Sequence, residues 1–235
     1  GGKETTESFE KGLSLFSSKL KKLIKKYLLI DLKQRHIGDW DKVLLRQFLV
    51  ARQFDFNNLA MICPLLELVN HEVISLSFIK GLDGISTPNY PIVKGELTYT
   101  YNNKSSIKRF FYQGFFCKES IVYSFPFSLN LNDLGVIIHC KGKDLDDDSM
   151  KIKRSNNIIS IEGLPIADFN HPRLPNHYFA ELIRRIGVDN ISKEFLSNII
   201  KLNISMRTNI LEESQLIAND VSDMFTEIIK YELNL

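Results

Sequence analysis

The stretch IVYSFPFSLNLNDLGVIIHC, residues 121–140, decides the fold class. Ile121, Tyr123, Phe125, Phe127 and Leu129 fall on alternate positions, with Ser120, Val122, Ser124 and Ser128 between them. A period of two marks a half-buried strand, because successive side chains leave opposite faces of a pleated backbone. Asn130 to Asp133 holds turn-forming residues, and Leu134 to Cys140 resumes as an apolar strand. A connection that short joins antiparallel neighbours, since a parallel return needs a crossover of a dozen or more residues.

Working outward, Leu97, Tyr99 and Tyr101 alternate with Glu96, Thr98 and Thr100, residues 102–105 form a turn, and Ile107 to Phe116 reads as the next strand. Met150–Arg154 and Ile158–Glu162 read as two more. The strands are expected to form an antiparallel meander. On either side the apolar period lengthens to three and four. Phe9, Leu13, Phe16, Leu20, Leu23, Ile24, Tyr27 and Leu28 predict a helix over residues 9–29 with Lys19, Lys21, Lys22, Lys25 and Lys26 mostly off the stripe. Further helices are expected from Trp40 to Arg52 and from Asn58 to Ser77, the latter interrupted at Pro64. After Pro165, Pro172 and Pro175 come helices from Tyr178 to a stop at Gly187, from Ile191 to Leu202 and from Thr208 to Leu233. Helices, one antiparallel sheet, then helices make an α+β protein.

The 235 residues are 44% hydrophobic and 25% charged, which excludes disordered, collagen-like and disulfide-scaffold classes. The net charge of +2 is not the basic excess that makes nucleic acid the default partner. No apolar run reaches the roughly 18–20 residues of a membrane span. Cys63, Cys117 and Cys140 lie far apart without zinc-ligand spacing, so a reducing compartment is expected. Gly1, Gly2 and Lys3 introduce no apolar signal core.

Chemical motifs are few. Asp144, Asp146, Asp147 and Asp148 form an acidic loop that starts like a calcium loop, but Ser149 stands where the turn glycine belongs and Ser155 where the bidentate glutamate belongs. Asp133 with Lys141 has the outline of a metal-dependent nuclease, with His139 in place of the second carboxylate. His171 beside Pro172 reads as a surface loop residue, His36, His71 and His177 have no ligand-spaced neighbours, and neither GxGxxG nor a P-loop occurs, so no catalytic residue, metal or cofactor is expected. Lys108 to Tyr112 interleaves bases and rings as single-strand binders do, but an ordinary amphipathic strand accounts for it more cheaply. The basic helix at 9–29 reads first as one that packs its apolar stripe on the chain's own core with a solvated lysine face, and second as one that docks on an anionic membrane surface or a partner helix.

The order of these elements resembles the mitochondrial acidic matrix protein family, also called the mitochondrial glycoprotein family. The most specific string is YFAELIRRIGVDN at 178–190, followed by Phe195, Leu196 and the last helix. Ser106 to Arg109, Glu119 to Phe125, Phe127 to Leu131, Val136 to Cys140 and the Asp144–Asp148 run resemble the family's strands, central hairpin and acidic turn, with Leu65 to Val73 as its leading helix. The resemblance covers residues 58–235 and leaves residues 1–57 as a helical extension without counterpart. The family is usually strongly acidic, and this chain is not.

The resemblance implies a twisted sheet of about seven antiparallel strands flanked by helices, assembled as a ring-shaped homotrimer in the mitochondrial matrix. It implies a non-enzymatic scaffold or chaperone-like partner in organelle gene expression, RNA processing and respiration, meeting other mitochondrial proteins or ribosomal assemblies. Ile210, Leu211, Leu216, Ile217, Val221, Met224 and Ile228 on the last helix are the expected subunit contact. The alternatives are the nuclease around Asp133 and Lys141 and a peripheral membrane adaptor using the helix at 9–29.

Overall fold

A computed structural model describes residues 3–32, 40–56, 59–62, 70–71, 78–81, 84–86, 98–99, 105–132, 135–142, 150–186 and 193–234. The chain opens with α1 (Lys3–Ser14), α2 (Ser18–Leu28) and α3 (Trp40–Arg52). Six short strands follow: β1 (Gln53–Phe56), β2 (Leu59–Ile62), β3 (Asn70–His71), β4 (Ile79–Gly81), β5 (Gly84–Ser86) and β6 (Thr98–Tyr99). Then come α4 (Ser106–Gln113), β7 (Ile121–Tyr123), β8 (Phe127–Leu131), β9 (Val136–Cys140), β10 (Lys151–Ser155), β11 (Ile158–Glu162) and β12 (Pro165–Asp168). The chain ends in α5 (Leu174–Ile186), α6 (Lys193–Ser214) and α7 (Asp220–Glu232). The α+β class stands.

The expected single sheet of about seven strands does not form among the described residues. A four-stranded sheet in the order β10-β11-β9-β8 is accompanied by separate two-stranded pairings β1-β2, β12-β7, β3-β6 and β4-β5. Nor is the main sheet wholly antiparallel. β10 and β11 form a hairpin closed by Asn156 and Asn157, with Asn156 in the left-handed region at φ 52°, which a short polar side chain tolerates. The hairpin folds inward, so β11 lies parallel to β9 and β10 takes the edge.

Four local expectations are also corrected. Ile107 to Phe116 is largely helix rather than strand: the Ser105 hydroxyl caps α4 by accepting from the Lys108 N–H, and Gly114 closes it in the left-handed conformation at φ 75°. The expected helix from Asn58 to Ser77 gives way to β2 and β3 where it is described. The continuous helix over 9–29 breaks into α1 and α2 at Ser17, whose hydroxyl caps α2 by accepting from the Leu20 N–H. Towards the end, the chain break falls at 215–219 rather than between 202 and 208, because α6 runs on to Ser214 and Asn219 caps α7.

The core gathers around Phe225 of α7. Phe110, Phe111 and Phe16 lie with ring centroids 5.4, 5.2 and 5.8 Å from it, and Phe9 meets Phe110 at 5.1 Å. Such pairs add about 0.5–1.5 kcal/mol each beyond simple burial. Leu13, Leu20, Ile24 and Leu28 of the first two helices belong to the same buried cluster as Ile138, Ile161, Ile210 and Ile228. The packing therefore draws no line at residue 57. At Gly12 a Cβ would lie 2.3 Å from Val221 Cγ2, so only glycine permits this approach of α1 to α7.

Candidate functional site

Among the described residues two arginines are fully buried, and both are held by carboxylates that are themselves buried. Arg207 of α6 donates from Nε to Glu232 Oε2 at 3.0 Å, from Nη2 to the Tyr123 carbonyl at 2.9 Å and from Nη1 to Asn203 Oδ1 at 3.0 Å. Its guanidinium carbon lies 4.0 Å from the centre of the Phe125 ring. Asn203 Oδ1 also accepts from the Phe125 N–H, and its Nδ2 donates to Ser124 Oγ. Glu232 Oε1 takes the Ile107 N–H at the start of α4.

Arg109 donates to Glu119 through Nε and to Gln113 through Nη1. The Tyr231 hydroxyl donates to the Glu119 carbonyl at 2.8 Å, and the Glu119 N–H donates to Ser106 Oγ. A buried charge is tolerated when it is paired and its remaining hydrogen-bonding positions are filled. These groups tie α4, α6, α7 and the segment at 119–125 together. Burial, followed by the charges of Glu232 and Glu119, pushes the Tyr231 hydroxyl up to about 12. Burial and the neighbouring Glu119 push the Cys117 thiol up to about 11, and burial pushes Cys140 up as well. Thiols held protonated in this way are poor nucleophiles.

Charged and polar groups meet solvent on one face of the four-stranded sheet. The register places Lys153, Ser160, His139 and Ser128 side by side across its four strands. Ser128 Oγ and His139 Nδ1 are 2.7 Å apart. In the next row Lys151 lies opposite Glu162, and Lys141 Nζ donates to Glu162 Oε1 at 2.8 Å. Asn130, Ile137, Ile158 and Ser155 make up the third row. The alternate residues Phe127, Val136, Ile138, Cys140, Ile159 and Ile161 enter the core. Period two thus yields one apolar face and one wet, cationic face.

The expected subunit contact lies mostly inside the chain. Ile210, Val221 and Ile228 are buried in the core, and Leu211, Ile217 and Met224 pack half-buried against it. Leu216 alone of the seven stands out, 78% exposed in the α6–α7 turn. Leu15 in the α1–α2 turn is 65% exposed as well, and the helices α2 and α6 are joined by the Lys19–Glu213 ion pair at 2.6 Å.

Asp133, the acidic loop Asp144, Asp146, Asp147 and Asp148, His36 and Cys63 lie outside the described residues. His71 falls on the short strand β3. Lys141 is engaged by Glu162 rather than standing as a lone cation. His171 touches Asp168, whose Oδ1 accepts the backbone N–H groups of Asn170 and His171 in a local turn. No group of three or more His, Cys, Asp or Glu side chains suited to a metal occurs among the described residues.

The basic helix is partly neutralised: Lys19 meets Glu213 and Lys25 meets Asp31 at 2.5 Å, while Leu20, Ile24 and Leu28 are buried. The face that an in-plane membrane helix would insert is therefore packed into the core. No described helix is long and apolar enough to cross a membrane.

Sequence reasoning missed both buried ion pairs and the Ser128–His139 contact. A signal for the first existed, since Asn203 and Arg207 continue the i, i+4 spacing of Ile199 toward Ile210 on the buried side of α6. The second follows only from the strand register. Comparison of the chain with protein-family models, with curated proteins and with solved structures finds no match.

Proposed function

We propose that this chain is a non-enzymatic binding protein that presents charged surface to macromolecular partners. The observation that supports this reading is the solvent-facing side of the main sheet, where Lys141, Lys151 and Lys153 are exposed among small polar side chains. The buried arginines and carboxylates, by contrast, are fully occupied in holding elements together. The resemblance of the string at 178–190 and of the helices that follow it supports the narrower reading: a scaffold or chaperone-like protein of the mitochondrial matrix, working as a homotrimer in organelle gene expression, RNA processing and respiration.

In this reading the subunit contact is made through Leu216, which is exposed in the α6–α7 turn, as Leu15 and Leu29 are at the ends of α1 and α2. The test is absolute mass by light scattering on a sizing column. A mass of three chains that falls to one in Leu216→Asp supports the homotrimer, and because the side chain is exposed in the single chain, circular dichroism should show the variant still folded. A single chain at all concentrations overturns the trimer and the compartment assignment that accompanies it.

A further inference from the structure

We infer that β8, an open edge of the four-stranded sheet, pairs antiparallel with β8 of a second copy of this chain about a two-fold axis. This goes beyond the homotrimer reading, which places its contact at Leu216. In β9 the Ile137 and Lys141 N–H groups go to the β11 side, so the main-chain groups of Val136, Ile138 and Cys140 point to β8. The register sets those three opposite Leu131, Leu129 and Phe127. The N–H and C=O groups of Ser128 and Asn130 therefore point away from β9, and among the described residues no strand pairs with them. Both residues are exposed.

Unpaired main-chain donors and acceptors at strand spacing are matched by another extended backbone. The two edges of the sheet differ in how they receive one. β10 carries Lys151, Lys153 and Arg154, the charged composition that keeps foreign strands away. β8, Phe-Ser-Leu-Asn-Leu, carries no charge. It is also complementary to itself. With Leu129 on the two-fold axis, Ser128 faces Asn130 of the second copy and Asn130 faces its Ser128, and each pair exchanges two main-chain hydrogen bonds. On one face Leu129 meets Leu129 and Phe127 meets Leu131, and on the other serine meets asparagine. A shift by two residues would set Asn130 against Pro126, which has no N–H, or Ser128 against Asn132, past the end of the strand.

The test is disulfide trapping of the full chain carrying Leu129→Cys. Residue 129 faces its own copy at a non-hydrogen-bonded position, where Cα atoms lie about 4.5 Å apart, within the roughly 4.4–6.8 Å that a disulfide spans. In a glutathione redox buffer this variant should form a two-chain species on non-reducing gels roughly tenfold faster than Leu131→Cys, whose copies stand roughly 13 Å apart along the strand. The parent chain, with Cys63, Cys117 and Cys140, sets the background. Adding Asn130→Pro removes an outward N–H, spares the bonds to β9 and should cut the trapping roughly tenfold, as proline is tolerated on an edge strand. Ser128→Pro removes the other outward N–H to the same effect, and circular dichroism shows which proline variant is folded.

Trapping through residue 129 should persist when Leu216→Asp is added, so the edge contact and the trimer stand or fall separately. Loss of trapping in that background places residue 129 within the trimer contact and overturns the two-fold pairing. Equal trapping at residues 129 and 131, or trapping indifferent to a folded proline variant, marks chance collision and overturns it too. No trapping above the parent overturns the second copy as the occupant and leaves the edge to an extended segment of another protein.

Discussion

Arg207 illustrates how one residue can organise several elements. Its guanidinium reaches α7 through Glu232, the end of β7 through the Tyr123 carbonyl, and its own helix through Asn203. Replacing it with Met would leave Glu232, 1% exposed, as a buried carboxylate without its cation. The expected cost is about 3–5 kcal/mol, read as the shift in urea midpoint. Adding Glu232→Gln to Arg207→Met should recover part of that loss, because much of it comes from the orphaned charge; a single variant within 1 kcal/mol of the parent would show that the pair contributes little.

Tyr231 gives the same cluster a pH dependence. Its folded pKa of about 12 lies above the ordinary value of 10, owing first to burial and then to the charges of Glu232 and Glu119. The native state therefore holds the phenolic proton more tightly than the unfolded chain does. Stability from this group is complete below pH 10 and is lost as pH rises from 10 to 12. Cys117, raised to about 11 from 9.0, adds a decline that begins one unit earlier. Tyr231→Phe should cost about 1 kcal/mol at pH 8, for the lost hydrogen bond to the Glu119 carbonyl, and should make the alkaline decline shallower. Equal slopes for parent and variant between pH 10 and 12 would assign the decline to other groups.

At the scale of elements, legibility followed the clarity of the period. The strands at 136–140, 151–155 and 158–162 stand close to where the sequence places them, as does the helix from Trp40 to Arg52, whereas the run from Ile121 to Leu129, read as one strand, is split into β7 and β8, which pair in different sheets. Residues 106–113 were ambiguous because Ile107, Arg109 and Phe111 satisfy period two while Ile107, Phe110 and Phe111 satisfy the helical period. The punctuation favoured the helix: Ser105 is a natural N-cap and Gly114 a natural C-terminal glycine. Strand β12 was hidden for the opposite reason. Pro165 reads as a loop residue, yet it begins an edge strand, a position where the missing N–H is tolerated. The parallel pairing of β9 with β11 was beyond local reading, because nothing in either strand states which neighbour a returning hairpin will choose. Of the candidate surface, the alternation made the wet face legible residue by residue, but its rows exist only through the register between strands.

At the scale of the molecule, the first two helices are structural. Phe9, Leu13, Phe16, Leu20, Ile24 and Leu28 are all buried against the partners supplied by α4, α6 and α7. At about 1.5–3 kcal/mol for each fully buried apolar side chain, their removal would forfeit on the order of 10 kcal/mol, comparable to the whole stability of an ordinary domain. The chain lacking residues 1–32 is accordingly expected to lose its cooperative urea transition and to bind a hydrophobic dye. A truncated chain that keeps a sharp transition would show instead that residues 58–235 fold as a unit, as their family resemblance implies. The same arithmetic bears on any membrane role for the basic helix. Deleting the helix would abolish vesicle binding merely by unfolding the protein, so the informative change is at exposed lysines. Lys22→Glu with Lys26→Glu keeps Leu20, Ile24 and Leu28 in place, and because those apolar residues are held in the core, sedimentation with anionic vesicles is expected to be weak in the parent and to vanish at 150 mM salt. Strong sedimentation that survives salt would require Leu20, Ile24 and Leu28 to leave the core for the bilayer, a rearrangement that the Lys19–Glu213 and Lys25–Asp31 pairs and the close approach at Gly12 oppose.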